Sequence, residues 1–423
     1  MRKILFILAA ALLSSAAASA QHLITSEVSE RYQLEALGAS ANMRYVVGMN
    51  VATYAGFIWD TQTGKIVEGD GDYAAYDFRC VSNQSIAFGS ISVEDMVVFQ
   101  AATIGADGRT SILENEMSAM YACTPDGSIA VGCTLDDIMW WPTACIWKNG
   151  VRTALPVPSK AECGIDHDGA NALFVNADGS VIAGYLQDGM SSHPAIIWRR
   201  QADGSYQPDV ISRDIWEPRY GMGKTYLRFE ILGISPNGKW LCLSAQKEAG
   251  NDMPTPEFMV RMNLETGEII ESETPQIEYF NAEKDNCYPT SIADDGTCVG
   301  STKDEIDFQA GVIWRAEEKT PRLLADVFPS ITQFAHYDGF QHHPIVISGD
   351  AQHIVGYGCP VTFVGGEPDY DFVSYRFDVS GTDGIEAPTA NRTQSGDVFN
   401  LSGQRVTPNY RGIQIQDGRK VLR

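Results

Sequence analysis

The chain has 423 residues, 44% of them hydrophobic and 10% aromatic, with 54 acidic and 31 basic side chains. This hydrophobic content excludes a wholly disordered chain. The net charge of -23 argues against nucleic acid and anionic membranes as partners, because both are bound mainly through Lys and Arg. The length allows roughly two or three domains, or one large all-β domain.

Residues 1–20 have the pattern of a secretory signal peptide. Arg2 and Lys3 form a basic start, and the apolar run at 4–13 is too short to span a bilayer. Small residues at 18–20 predict cleavage between Ala20 and Gln21. Because no later run is long and apolar enough for a transmembrane helix, we expect a secreted, periplasmic or cell-surface protein.

Seven copies of one motif follow the predicted signal peptide. They are ASANMRYVVG at 39–48, VSNQSIAFG at 81–89, CTPDGSIAVG at 123–132, VNADGSVIAG at 175–184, ISPNGKWLCL at 234–243, IADDGTCVG at 292–300 and ISGDAQHIVG at 347–356. In most copies an apolar strand precedes an Asp-Gly or Asn-Gly turn, and a second strand then ends in Gly. A third strand often closes on Trp, and a polar turn leads to a fourth. Seven four-stranded units predict an all-β, seven-bladed β-propeller over residues 21–381.

Three details of this propeller can be predicted from the repeat. The Trp residues at 59, 147, 198 and 314 share one position on the third strand, which favours packing between blades over ligand binding. The Gly that ends most second strands allows close backbone approach near the axis. The seventh unit lacks a clear fourth strand, so we expect residues 22–32 to complete it and close the ring.

The repeats resemble the HAF-type repeats of exported bacterial proteins, in which V-S-x-D-G-S-x-V-x-G precedes an apolar strand ending in Trp. ISPNGKWLCL at 234–243 is also similar to the repeats of Tol-system periplasmic propellers. The resemblance covers residues 34–381. It implies a propeller outside the cytoplasm and no particular chemistry.

The composition changes after residue 381. Residues 382–396 form a linker rich in Thr, Gly, Ala and Pro, and residues 397–423 contain two strand-turn units, VFNLSGQRV and GIQIQDGRKVL. The hairpin N-L-S-G-Q-R-V and the basic end resemble the C-terminal sorting modules of Bacteroidetes proteins that use type IX secretion. This resemblance implies contact with export machinery. The alternative is a small β-appendage of the propeller.

The chain contains nine cysteines and no C-x-x-C pair, which argues against a structural zinc site or thioredoxin-like chemistry. Several of them lie in apolar strand runs and are expected to be buried thiols. One or two disulfides in an oxidising compartment stay open as the alternative.

Loop lengths predict where a binding site lies. The turns between strands one and two and between strands three and four are short. The loops between strands two and three and the connectors between successive units are long, and both kinds open on the same face of the propeller. We call these the short-turn face and the long-loop face. Function usually resides in variable loops on a rigid scaffold. The candidate ligand-binding residues on the long-loop face are Trp140, Trp141, Asp137, Trp216, Tyr220, Tyr337 and Asp338.

Adjacent indoles beside carboxylates can stack on sugar rings or anchor a protein partner, or else can tuck beneath a neighbouring loop. His342 and His343 could bind a metal with Asp338, or be ordinary surface histidines. Asp166 and Asp168 form half of a calcium-loop pattern, which a simple turn also explains.

No H-E-x-x-H, G-x-S-x-G or phosphate-binding G-x-x-x-x-G-K motif is present. We therefore expect an exported, non-catalytic propeller that binds a glycan or a protein through its long-loop face, without a cofactor. Two alternatives stay open. One is a carbohydrate-active hydrolase with acidic residues in the central opening, and the other is a structural envelope protein.

Overall fold

The computed structural model describes residues 22–23, residues 33–379 with gaps, and the strands of the C-terminal region. The gaps are 72, 74, 93–98, 137–139, 188–193, 212–225, 250–252, 276, 278–279, 304–308, 329–341, 359–360, 365–366 and 371. The chain divides into two compact units, residues 1–380 and 381–423. No helix among the described residues is long and apolar enough to cross a membrane.

The first unit is a ring of seven four-stranded antiparallel blades, which confirms the predicted seven-bladed propeller. The strands of blades 1 to 3 are Leu34–Ala39, Tyr45–Asn50, Gly56–Asp60, Ile66–Glu68; Ala75–Val81, Ala87–Ser92, Phe99–Ile104, Thr110–Ile112; and Ser118–Cys123, Ile129–Leu135, Pro142–Lys148, Val151–Ala154. Blades 4 and 5 contain Gly169–Val175, Val181–Gln187, Ala195–Arg200, Tyr206–Ile211; and Tyr226–Ile234, Trp240–Ala249, Phe258–Asn263, Ile269–Glu271. Blade 6 contains Asn286–Ile292, Cys298–Lys303, Gln309–Trp314 and Arg322–Leu323.

Blade 7 joins the two ends of the propeller. Its strands are His342–Ile347, His353–Gly358, Val373–Asp378 and, from the start of the chain, His22–Leu23. His22 pairs with Arg376 and Leu23 with Tyr375 in antiparallel register. This pairing confirms that an N-terminal strand completes the last blade, and residues 24–32 of the predicted segment lie outside the described residues.

A few elements lie outside the blades. Met253–Pro254 pairs with the second strand of blade 5, and a hairpin of Val361–Val364 with Glu367–Tyr370 follows the second strand of blade 7. Lys160–Cys163 and Leu324–Val327 form one-turn helices in the connectors after blades 3 and 6.

The core lies between blades. The first strand of each blade contacts the first strands of both neighbours, so these seven strands surround the axis. The Trp residues that end the third strands are 0–2% exposed and pack against the preceding blade: Trp147 against Phe88 of blade 2 and Trp198 against Val131 of blade 3. Trp314 packs on Met259 of blade 5 in the same way. The prediction that these indoles pack between blades is therefore confirmed.

The repeated Gly of the second strand lies opposite a bulge in the first strand. In blade 4 the register shifts between Ala172 and Phe174, and Gly184 pairs with Ala172. A Cβ added to Gly184 would lie 1.8 Å from the carbonyl oxygen of Asn171. An added Cβ would lie 1.9–2.2 Å from a first-strand carbonyl oxygen at five other glycines: Gly48, Gly89, Gly132, Gly300 and Gly356. The expected close approach is thus to the innermost strand of the same blade.

The turn between strands one and two contains five residues in all seven blades. In blade 3, Thr124 Oγ1 donates a hydrogen bond to Asp126 Oδ1 at 2.7 Å and accepts one from the Ile129 amide at 3.1 Å. Ser40, Ser235 and Ser348 make the equivalent pairs of bonds in blades 1, 5 and 7. The polar residues of the repeat are therefore used to shape this turn.

Eight cysteines are described, and all are free thiols, seven of them buried. This agrees with the buried-thiol alternative, and Cys359 lies outside the described residues.

The second unit contains one four-stranded antiparallel sheet. Its strands are Val398–Asn400, Arg405–Val406, Ile413–Gln416 and Arg419–Leu422. Both predicted strand-turn units therefore contribute strands to one sheet.

Candidate functional site on the long-loop face

Trp140 and Trp141 lie in the loop between the second and third strands of blade 3. Their exposed fractions are 48% and 43%, so neither indole is tucked beneath a neighbouring loop. The loop is anchored from both sides: the Asp136 amide donates to the Trp141 carbonyl, and the Trp141 amide donates to Asp136 Oδ2, each at 3.2 Å. Trp140 has a φ of 60°, which is strained for a bulky side chain.

The next blade fixes the position of this loop. The Pro142 carbonyl approaches Gly169, the first residue of blade 4, so closely that a Cβ on Gly169 would lie 1.9 Å from the carbonyl oxygen. Gly169 has a φ of 152°. The two indoles are therefore presented by a loop that is packed against a rigid blade.

Tyr54 is an exposed aromatic residue that sequence reasoning missed. It lies in the corresponding loop of blade 1, is 49% exposed and has a φ of 59°. Its backbone amide donates to the Asn50 carbonyl at 2.7 Å, and Asn50 is 1% exposed. Its place between the second and third strands, shared with the two indoles, was the available sequence signal.

The other aromatic and acidic candidates cannot be placed. Asp137, Trp216, Tyr220, Tyr337 and Asp338 lie outside the described residues. The structure therefore places only the two indoles of the predicted site.

One histidine of the predicted histidine site, His343, is buried. His343 is 8% exposed and stacks on Tyr357 with ring centroids 4.7 Å apart. Burial lowers the pKa of His343 to about 4. The interpretation of His343 as a surface histidine is therefore wrong, because it lies on the first strand of blade 7, inside the ring. The side chain of His342 lies outside the described residues.

The aspartates of the half calcium loop have other partners. Asp166 forms an exposed ion pair with Lys160 at 2.5 Å, and the Asp168 amide donates to the Gln187 carbonyl at 2.7 Å. Among the described residues, no three His, Cys, Asp or Glu side chains converge as metal ligands.

One residue of each first strand lies next to the bulge, on the side of the long-loop face. These residues are Glu35, Asp77, Ala119, Asn171, Glu230, Tyr288 and His343, and all but Ala119 are polar. We call this set the axial ring. Residues of neighbouring blades approach it: Glu35 of blade 1 is close to Asp77 and Arg79 of blade 2, and Glu230 of blade 5 is close to Tyr185, which lies on the second strand of blade 4.

Glu35 is the carboxyl group of the axial ring that has a perturbed pKa. Burial raises its pKa, while a hydrogen bond with Tyr357 and the charge of Arg79 act in the opposite direction. The neighbouring Asp77 forms a salt bridge with Arg79 at 2.8 Å. A carboxyl group with raised pKa can donate a proton, and the surrounding carboxylates and hydroxyls can hydrogen-bond a polar solute.

No protein-family profile matches this chain, and no curated protein matches it in sequence. Solved structures of other propellers do resemble it. A putative TolB from Agrobacterium tumefaciens is 16% identical, with a TM-score of 0.39, and the match covers 57% of this chain and 80% of TolB. TolB from Acinetobacter baumannii is 11% identical over 76% of each chain, with a TM-score of 0.39. A xyloglucanase from Xanthomonas campestris is 11% identical over 80% of this chain and 54% of its own, with a TM-score of 0.46.

Proposed function

We propose that this protein is an exported, non-catalytic propeller that binds a glycan or a protein partner at the cell envelope or surface through its long-loop face. The observation that carries the proposal is the exposure of Trp140 and Trp141 on a loop that is held in place. Large apolar side chains at the surface cost free energy, and adjacent ones on a rigid loop are typical of binding sites.

The proposal is tested by applying the mature protein to a glycan array and to envelope proteins of the producing cell. The double variant Trp140→Ala/Trp141→Ala should lose binding. Val151→Ser is the matched control, because Val151 is 69% exposed and begins the fourth strand of the same blade at the short-turn face. Binding that persists unchanged in the double variant contradicts the proposed site. Failure to bind any glycan or protein favours a structural envelope role.

A carbohydrate-active hydrolase is the second candidate function, and the observation that favours it is the partly buried Glu35 carboxyl group of the axial ring. Its raised pKa suits a general acid in the central opening. A screen of polysaccharides for released reducing ends tests this candidate. Hydrolysis by the wild type that is lost in Glu35→Gln supports it, and no hydrolysis by the wild type rejects it.

We further propose that residues 1–20 direct export and that residues 397–423 serve a surface-sorting route of the type IX kind. The support is the sequence pattern of both segments. N-terminal sequencing of the exported protein should begin at Gln21. Removal of residues 382–423 should leave the protein in the periplasm, and surface display of the truncated chain contradicts a sorting role.

A further inference from the structure

A cavity of about 230 Å³ lies between blades 5 and 6, at their long-loop ends. It is formed by the end of the second strand and the start of the third strand of blade 5, together with the connector that leads into blade 6. Its wall includes Lys247, Glu257, Phe258, Glu271, Phe280 and Asp285. This volume is below the ~300 Å³ at which sites for drug-sized ligands begin, which suits one small ring.

Part of the wall is apolar and anchored in the core. Phe258 and Phe280 are half-buried, and each packs against a core cluster, Phe258 between blades 4 and 5 and Phe280 between blades 5 and 6. Cys287, in the first strand of blade 6, is 1% exposed. Phe258 belongs to the third strand of blade 5, and Phe280 lies in the connector that leads into blade 6, so both rings offer surface for the apolar face of a ligand.

The polar groups of the wall are held in place by other bonds. Lys247 Nζ lies 2.5 Å from Glu271 Oε2 and 5.1 Å from the ring centroid of Phe258. Glu257 accepts a hydrogen bond from Ser244 at 2.9 Å. Asp285, which is 6% exposed, accepts one from the Asn281 amide at 2.7 Å. These bonds fix one ammonium and several carboxylates at the wall of the cavity, so its charged groups hold defined positions.

One hydroxyl group of the wall has no partner. Ser272 Oγ is buried and makes no hydrogen bond within the part of the chain that the structure describes. The backbone amide of Ser272 has a partner, because it donates a hydrogen bond to the Met259 carbonyl at 2.9 Å. A buried hydroxyl without a partner costs free energy, but Ser272 Oγ lies beneath the cavity surface, so this hydroxyl is not itself a ligand contact.

We propose that this cavity binds one sugar unit, as a second site on the long-loop face beside the indole pair of blade 3. The inference deepens the proposed binding function and rests on it. Neighbouring hydroxyls of a pyranose each donate and accept, so they match an ammonium beside a carboxylate, as in Lys247 and Glu271. The less polar face of the sugar ring then lies against Phe258 or Phe280, which supplies the remaining contact area.

The test uses mature full-length protein and the methyl glycosides of glucose, galactose, mannose and N-acetylglucosamine. Saturation-transfer NMR detects binding, and calorimetric titration measures the affinity. Glu271→Gln should weaken the affinity about tenfold, because it removes a charged acceptor without changing shape. Phe280→Leu, which keeps the wall apolar without an aromatic ring, should weaken it about threefold.

One control variant lies away from both sites. Glu265→Gln removes an exposed ion pair with Lys239, at 3.3 Å, on the short-turn face of the same blade, and its affinity should equal that of the wild type. Trp140→Ala/Trp141→Ala separates the two sites: glycoside binding that remains in this variant belongs to the cavity, and loss of all glycoside binding in this variant overturns the cavity.

The two proposals fail in different ways. Absence of binding by all four glycosides overturns the sugar cavity, and so does an affinity that Glu271→Gln and Phe280→Leu leave unchanged. Loss of array binding in Trp140→Ala/Trp141→Ala, with no glycoside bound, rejects the cavity and retains the proposed function. The opposite result is glycoside binding that Glu271→Gln weakens, together with array binding that is unchanged in Trp140→Ala/Trp141→Ala. That result retains the cavity and rejects the indole site.

Discussion

The two faces of the ring differ in how uniformly they are built. On the short-turn face, all seven connections between first and second strands have five residues, and five of them repeat the same pair of side-chain hydrogen bonds. On the long-loop face, the connectors after blades 1 and 2 are short, whereas the connector after blade 3 is long enough to contain a helix, Lys160–Cys163.

The short turns also join neighbouring blades. The Asn83 amide donates to the Pro125 carbonyl between blades 2 and 3, and the Ala177 amide donates to the Pro236 carbonyl between blades 4 and 5. The Asp294 amide makes the same bond to Gly349 between blades 6 and 7. The backbone of the short turns therefore helps to maintain the ring. The other face keeps exposed aromatic residues that make no comparable contribution to the fold, which is why we assign binding to it.

The largest expected effect on stability comes from the bulge inside a blade. Gly184→Ala should lower the free energy of unfolding by about 3 kcal/mol, because the new Cβ would overlap the Asn171 carbonyl and move the strand. Gly204→Ala is the matched control in a turn of the same blade. Gly204 has a φ of 84° and no atom within 4 Å of its added Cβ, so its cost should be about 1 kcal/mol.

Urea denaturation of both variants measures this difference. Equal losses for Gly184→Ala and Gly204→Ala contradict the role assigned to the bulge.

Opening the ring should have the next largest effect. Deletion of residues 21–32 removes the strand that pairs with Val373–Asp378, and it should cost about 2 kcal/mol through lost backbone hydrogen bonds. Differential scanning calorimetry should show a clearly lower melting temperature. An unchanged melting temperature contradicts closure by this strand.

A smaller effect is expected at an ion pair on the short-turn face. Arg44 lies 2.8 Å from Asp60, and mainly this contact lowers the pKa of Asp60 from 3.8 to about 2. The depressed pKa stabilises the fold above pH 4, and this contribution is lost as the pH falls from 3.8 towards 2. Asp60→Asn should therefore cost about 1 kcal/mol at pH 7, since Arg44 is partly exposed.

Denaturation curves at pH 7, 4 and 2.5 check this prediction. The difference between wild type and Asp60→Asn should shrink at pH 2.5. A difference that stays constant with pH excludes the ion pair as its cause.

The smallest effect on stability is expected on the long-loop face. Trp140→Ala/Trp141→Ala should change the free energy of unfolding by less than about 0.5 kcal/mol, because both indoles are exposed. Urea denaturation measures this change. A loss of several kcal/mol would mean that the indoles belong to the fold and not to a binding site.

Sequence reasoning predicted the features that the repeat specifies. Asp126 and Gly127 in a five-residue turn, Gly132 at the end of a strand and Trp147 on the next strand follow local rules of turn and strand geometry. Even the turn of blade 2, which lacks Gly, keeps a positive φ of 63° at Ser85. Closure of the ring could also be predicted, since blade 7 lacked a fourth strand.

The sites were harder to predict because they depend on residues from different blades. The axial ring brings Glu35 next to Arg79 of the following blade, which no local pattern shows, whereas Tyr54 could have been found from its place between the second and third strands. His343 looked like a surface residue beside His342, and only its place on the first strand of blade 7 explains its burial.

The central claim is that binding occurs on the long-loop face while the short turns maintain the ring. Hydrogen exchange of the mature protein, with and without the glycan that binds best on the array, tests this claim most directly. The account predicts slower exchange in the long-loop segments 51–55 and 136–141 and in 271–287, which borders the cavity of blade 5. It predicts no change in the short turns 124–128, 176–180 and 235–239. Protection confined to those short turns would contradict the assignment of binding to the long-loop face.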